Sequence, residues 1–219
     1  MKKVVVLGAT GLVGGAIVEC LANKGHTVVA VGRNEVALLR LASIAPSARC
    51  LAGDVSTDDL ADRTARGALQ ALGSIDLVIA SLNPPRSTFR VTERSTEELA
   101  QFFDATLLTH VRAAKAFVPR IAAGGAFVGV GGASSDFVWP EHGHISTNQA
   151  AQRMLYKVLA HEYKAREVAI YEYVIAAMVH DGSGTAGVSA AAIGEDVARL
   201  AGLPGFGPDA VVRFPARGA

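Results

Sequence analysis

The run Val4-Val5-Val6-Leu7 opens into Gly8-Ala9-Thr10-Gly11-Leu12-Val13-Gly14. Apolar residues then recur at helical spacing through Val13, Ile17 and Leu21 to a stop at Gly25. This order of strand, glycine-rich turn and helix constrains the chain more than any other feature. An all-apolar run suits a central parallel strand covered on both faces. The turn needs residues without Cβ, so that the backbone can bend tightly and come close to a bound group. The following helix turns free N–H groups and the positive end of its dipole toward an anion. Gly8, Thr10, Gly11, Leu12, Val13 and Gly14 are therefore expected to hold the pyrophosphate of a dinucleotide.

The alternation continues along the chain. Further strands are expected at residues 27–31, 49–52, 77–82, 126–130, 169–176 and 211–214, after the first at 4–8. Helices are expected at 12–24, 34–45, 58–72, within 93–121, 146–166 and 190–202. Such alternation implies right-handed crossovers. The expected fold is α/β: a Rossmann-type, doubly wound, mostly parallel sheet of about seven strands flanked by helices. The 219 residues suit a single domain, 1–219, and half of them are hydrophobic, enough to cover both faces of the sheet. A net charge of +1 speaks against a nucleic-acid partner. Cys20 and Cys50 form no CxxC pair and read as buried small residues of a reducing compartment. Lys2 and Lys3 before an apolar run imitate a leader, but Gly8, Gly11, Gly14 and Gly15 interrupt it, and no run reaches the length of a membrane span. The expectation is a soluble cytoplasmic protein with no membrane partner.

Two further positions refine the ligand. Arg33 and Asn34 follow the second strand, where an acidic residue would accept from a ribose 2′-hydroxyl; an Arg suits a 2′-phosphate instead. NADP(H) is therefore expected in preference to NAD(H). Asp54-Val55 follows the third strand, and its carboxylate either accepts from the adenine amino group or shapes a turn.

These residues resemble the short-chain dehydrogenase/reductase family over roughly residues 4–200. Gly32-Arg33, Asp54-Val55, Pro119, Gly124-Gly125-Ala126 and Ala150-Ala151 stand at family-like places. The resemblance implies carbonyl reduction by a Tyr with a Lys four residues on, helped by a Ser and an Asn. Those four positions read Ile145, Gln149, Gly132 and Thr106 here, and no Tyr of the chain has a Lys four residues later. The family's Asn-rich segment after the fourth strand reads Ala80-Ser81-Leu82-Asn83. Ser81, Asn83 and Gln149 are expected to touch the cofactor, and Gln149 can still bond a ribose hydroxyl.

A substitute proton donor is expected among the polar residues after the fifth strand. His144 is the candidate donor, with His142 its neighbour, and Ser134 is expected to polarise a carbonyl. Ordinary loop roles are the alternative, with Ser146 capping the next helix. No third ligand accompanies His142 and His144, so no metal is expected. Phe137, Val138 and Trp139 line a pocket or cover the core. Met154, Leu155, Val158 and Leu159 read as core, and a dimer or tetramer is expected from the resemblance alone. Three functions stand open: an NADP(H)-dependent oxidoreductase on an unknown small carbonyl or alcohol, a redox-inactive NADP(H) sensor, and a non-redox lyase or isomerase.

Overall fold

The computed structural model describes residues 1–83, 87–184, 186–203 and 209–216. Of the irregular stretch 83–90, residues 84–86 lie outside the described residues, as does residue 185 of the loop 181–189. The first half runs β1 (Lys3–Leu7), α1 (Leu12–Asn23), β2 (Thr27–Gly32), α2 (Glu35–Ile44), β3 (Arg49–Ala52), α3 (Asp58–Leu72) and β4 (Ile75–Ala80). The second half runs α4 (Thr96–Phe103), α5 (Thr109–Phe117), β5 (Ile121–Gly132), α6 (Gly143–Glu162), β6 (Ala169–Ile175), β7 (Val179–His180), β8 (Val188–Ser189), α7 (Ala190–Ala201) and β9 (Val211–Phe214). Seven strands form one parallel sheet in the order β3-β2-β1-β4-β5-β6-β9, and β7 and β8 pair separately.

Successive residues of a strand point to opposite faces, so β1 feeds both cores. Val4 and Val6 pack with Ile17 and Leu21 of α1 and Ile193 and Val197 of α7. Val5 and Leu7 pack with Ala61, Ala65 and Ala68 of α3 and Phe117 of α5. The chain winds outward from β1 to β3, returns across the sheet, and continues from β4. Loops after β1 and β4 therefore diverge at the C-terminal edge and leave a crevice there.

The structure corrects four sequence expectations. The helix within 93–121 is not continuous: α4 passes into a π turn at Asp104–Leu108, then α5, then a 3-10 turn at Val118–Arg120. Thr106 Oγ1 in the π turn lies 2.7 Å from Phe102 O and 2.6 Å from Asn148 Oδ1, while Pro119 removes a backbone donor at the far end. Helix α6 begins at Gly143, so Ser146 sits inside its first turn; its Oγ is buried without a partner among the described residues. Cys50 is exposed, because β3 is the edge strand of the sheet. Met154 and Val158 on α6 are exposed rather than core.

Candidate functional site

Three glycines of the turn have different physical reasons. Gly8 has φ +74°, and a Cβ there would stand 2.0 Å from Ser81 O. A Cβ on Gly14 would stand 2.2 Å from Gly8 O. Packing within the protein dictates both. Gly11 is different: its Cβ would meet nothing nearer than Gly8 O at 3.4 Å. Gly11 faces a cavity of about 830 Å³, and so do Leu12 and Val13 of the first turn of α1. That helix has no side-chain cap and no acidic residue in its first turn. Its N–H groups and dipole are left for a ligand, and the missing Cβ of Gly11 keeps the approach open.

The cavity lies over the C-terminal ends of β1, β4, β5 and β6. Ser81 and Asn83 close it after β4, Gly131 to Ser134 at the end of β5, and Ala176 to Val179 after β6. Helix α6 supplies Ile145, Asn148 and Gln149. A chain of carboxamides braces this wall. Gly132 N donates to Gln149 Oε1 at 2.5 Å, Gln149 Nε2 donates to Asn83 Oδ1 at 3.1 Å, and Asn83 Nδ2 donates to Val130 O at 2.8 Å. A backbone donor fixes one end and a backbone acceptor the other, so the orientation of both amides is determined. Each amide nitrogen keeps one further N–H.

Of the expected tetrad positions, Gly132, Ile145 and Gln149 line the cavity, and Thr106 stands behind Asn148. Ser134 also lines it and is buried. The structure does not bring His144 to the cavity lining. Its ring stacks on Phe89 at 3.9 Å and meets Phe102 edge-on at 4.8 Å, and Phe102 forms the cavity wall. His144 Nε2 lies 3.1 Å from Ser87 Oγ and Nδ1 is buried without a partner among the described residues; burial first, then the charges of His142 and Arg94, push its pKa down. His142 stacks on Trp139 at 4.0 Å. None of the four tyrosines lines the cavity. Tyr156 bonds His110 Nδ1 at 2.8 Å in the core, and Tyr173 donates to Asp196 at 2.9 Å. The polar side chains lining the cavity among the described residues are hydroxyls and carboxamides, apart from the Trp139 indole.

The cofactor candidates divide between two places. Gly8, Gly14 and Thr10 shape the turn; Thr10 packs where a Cβ on Gly32 would lie, 2.7 Å from its Cγ2. Asn34 caps α2, its side chain accepting from Ala37 N at 3.0 Å. Val55 is core. Arg33 and Asp54 border a second pocket of about 420 Å³ beside β3. Asp54 takes the turn-shaping alternative: Oδ1 accepts from Val55 N and Ser56 N, and Oδ2 from Ser56 Oγ.

Asn148, one of the polar residues that follow the fifth strand, belongs to the cavity face of α6 with Ile145 and Gln149. One feature was missed in the sequence. Glu172 is fully buried in β6, with Arg153 Nε donating to its Oε2 at 3.0 Å; Arg153 also reaches Asp136 and Gly132 O. Burial pushes the Glu172 carboxyl up against the pull of Arg153. A single acid inside a strand gives no local sign of such a partner.

Residues 8–200 match the family model described as enoyl-(acyl carrier protein) reductase. The chain belongs to the short-chain dehydrogenase/reductase family. It is 26% identical over 195 residues to an uncharacterized oxidoreductase of Methylorubrum extorquens, covering 86% of this chain and 77% of the relative. An uncharacterized oxidoreductase of Staphylococcus epidermidis is 28% identical over 121 residues, 55% of this chain and 52% of the relative. The match thus spans about half the length of that relative. A short-chain dehydrogenase of Burkholderia cenocepacia, solved in complex with NADP, superposes with a TM-score of 0.82 at 15% identity, covering 97% of this chain and 95% of the other.

Proposed function

We propose that this chain is an NADP(H)-dependent oxidoreductase acting on a small carbonyl or alcohol substrate. The observation that carries the reading is the open cradle at Gly11: an uncapped helix N-terminus facing a large cavity, with a glycine that packing does not require. The NADP bound to the Burkholderia cenocepacia relative supports the same ligand here.

The turn from Gly8 to Gly14 would hold the pyrophosphate, and Arg33 the 2′-phosphate. The spare N–H groups of Gln149 and Asn83, beside the cavity, would bond ribose hydroxyls. Bound there, the nicotinamide supplies or removes two reducing equivalents. Ser134 Oγ–H is the hydroxyl we assign to polarise a substrate oxygen, since it lines the cavity and His144 does not. Ile145 presents only hydrocarbon where the family's phenol would stand. Phe102, Phe137 and Trp139 give the cavity aromatic walls and favour an apolar substrate body. The exposed Met154 and Val158 on α6 support a homo-oligomer, which sedimentation would reveal.

One observation favours a second reading. Among the described residues, no ionisable side chain lines the cavity. A redox-inactive sensor of NADP(H) needs none. Calorimetry with NADPH, followed by NADPH oxidation against a panel of aldehydes, ketones and quinones, separates the two. Binding with turnover that falls about tenfold or more in Ser134→Ala supports the oxidoreductase. Binding without turnover on any compound supports the sensor, and absence of binding removes both.

A further inference from the structure

We propose that Arg63 of α3 is a second guanidinium for a phosphate monoester on the ribose, lining the same 420 Å³ pocket as Arg33. This rests on the reading above that a dinucleotide binds at the glycine turn. The two arginines come from different elements, Arg33 from the end of β2 and Arg63 from the side of α3, and both border one pocket with Leu51, Gly53, Leu60 and Thr64.

Three observations converge on an anion. First, two acids of α3 near Arg63 are held by other cations, Asp58 by Lys115 at 2.8 Å, and Asp62 by Arg66 at 2.8 Å and Arg120 at 2.5 Å, while Asp59, one turn before Arg63, forms no ion pair with it among the described residues. Arg33 and Arg63 have no ion pair or side-chain hydrogen bond among the described residues. Second, Asp54, the acid on the pocket rim, has its carboxylate folded onto Val55 and Ser56. Third, Gly67 lies inside α3 on the pocket wall. A Cβ there would meet Leu51 Cδ2 at 3.5 Å, ordinary contact, so packing does not require glycine. A glycine inside a helix is unfavourable relative to alanine. Here it keeps the wall open.

Two guanidinium groups lining one pocket match a dianion better than a hydroxyl. The place, beside the end of β2, is where a ribose 2′-substituent lies in a doubly wound sheet. The ligand is thus a nucleotide carrying a 2′-phosphate, and Arg63 sets the preference for it.

The test is calorimetry of NADPH, NADH, 2′,5′-ADP and inorganic phosphate with the whole protein and its Arg33→Ala, Arg63→Ala and Arg63→Lys variants. Arg63→Ala is expected to weaken NADPH and 2′,5′-ADP about tenfold, as loss of one charge-assisted contact does, and to leave NADH unchanged. Arg63→Lys restores part of the loss. The preference for NADPH over NADH should fall as pH drops below about 6, where the phosphate dianion takes up a proton and becomes a monoanion. If Arg63→Ala keeps the full preference while Arg33→Ala loses it, Arg63 has no such role and the cofactor reading stands. If inorganic phosphate binds as tightly as 2′,5′-ADP, the pocket is a general anion site and the proposal fails. If the unaltered protein binds neither dinucleotide, the proposal falls together with the reading beneath it.

Discussion

The side-chain oxygen of Gln149 accepts the backbone N–H of Gly132 at 2.5 Å, and its nitrogen donates to Asn83 at 3.1 Å. A carboxamide can do both because it is donor and acceptor at once; an ammonium has no acceptor. Helix α6 and the end of β5 are thereby joined at the cavity wall. Gln149→Leu leaves a backbone donor and an amide oxygen without partners. The expected loss is about 2 kcal/mol, read as a lower urea midpoint. Gln149→Lys should lose a similar amount. An unchanged midpoint in both would mean that the bond does not brace the fold.

The glycine turn can be dissected by three alanines. Gly8→Ala forces a Cβ onto Ser81 O with φ +74°, and Gly14→Ala forces one onto Gly8 O. Each should destabilise by about 2 kcal/mol or more. Gly11→Ala has no such clash, and its stability should stay within about 1 kcal/mol, the scale of a cap substitution. Its NADPH affinity should nevertheless fall. Full affinity in a folded Gly11→Ala protein would remove the main support for the cradle.

Glu172 and Arg153 form a buried ion pair, at 0% and 13% side-chain exposure. Removing the cation leaves a carboxylate in the core, which costs about 3–5 kcal/mol. Arg153→Met is expected to melt far below the unaltered protein at pH 7, and Glu172→Gln in the same chain should recover much of the loss. The Glu172 pKa is raised, because burial outweighs the pull of Arg153. The native state therefore holds this proton more tightly than the unfolded state. The corresponding stability is present at low pH and lost as pH rises through the native pKa. Arg153→Met should accordingly be less impaired at pH 5 than at pH 8, by thermal melting at both.

His110 gives the opposite pH dependence. Burial pushes its pKa down to about 4, and the ring stays neutral beside the Tyr156 hydroxyl. The unfolded chain takes up a proton below the ordinary value of 6.5 while the native state does not. Stability from this group is complete above pH 6.5 and falls as pH drops toward about 4, by about 3 kcal/mol in all. Paired substitution of His110→Leu and Tyr156→Phe removes the titration without stranding either polar partner. Its urea midpoint should vary less between pH 7 and pH 4.5 than that of the unaltered protein.

Much of the frame was legible in the residues. Strand 49–52 and helix 58–72 were read with the bounds the structure gives them, since edge-to-turn transitions and the αL glycine at Gly73 are local signals. The break after Phe103 was not. It depends on Thr106 meeting Asn148, 42 positions away. The cavity followed the same division. Gly11 was named from the strand-turn-helix pattern, Ser81, Asn83 and Gln149 from the family resemblance, and Ser134 from its place after the fifth strand, and all five line it. His144 was named from its chemistry and its neighbours in sequence, yet Phe102 and Phe89 enclose it.

The sequence by itself determined the alternation of elements, the parallel sheet and the glycine turn that borders the cavity. These follow from periodicity, glycine conformation and the absence of side chains at set places, all short-range effects. Tertiary structure alone decided which face of each loop meets the cavity, which amide braces which strand, and that Arg63 and Arg33 border one pocket. Such pairings join residues distant in sequence, and their energies arise only when packing brings the partners within contact distance.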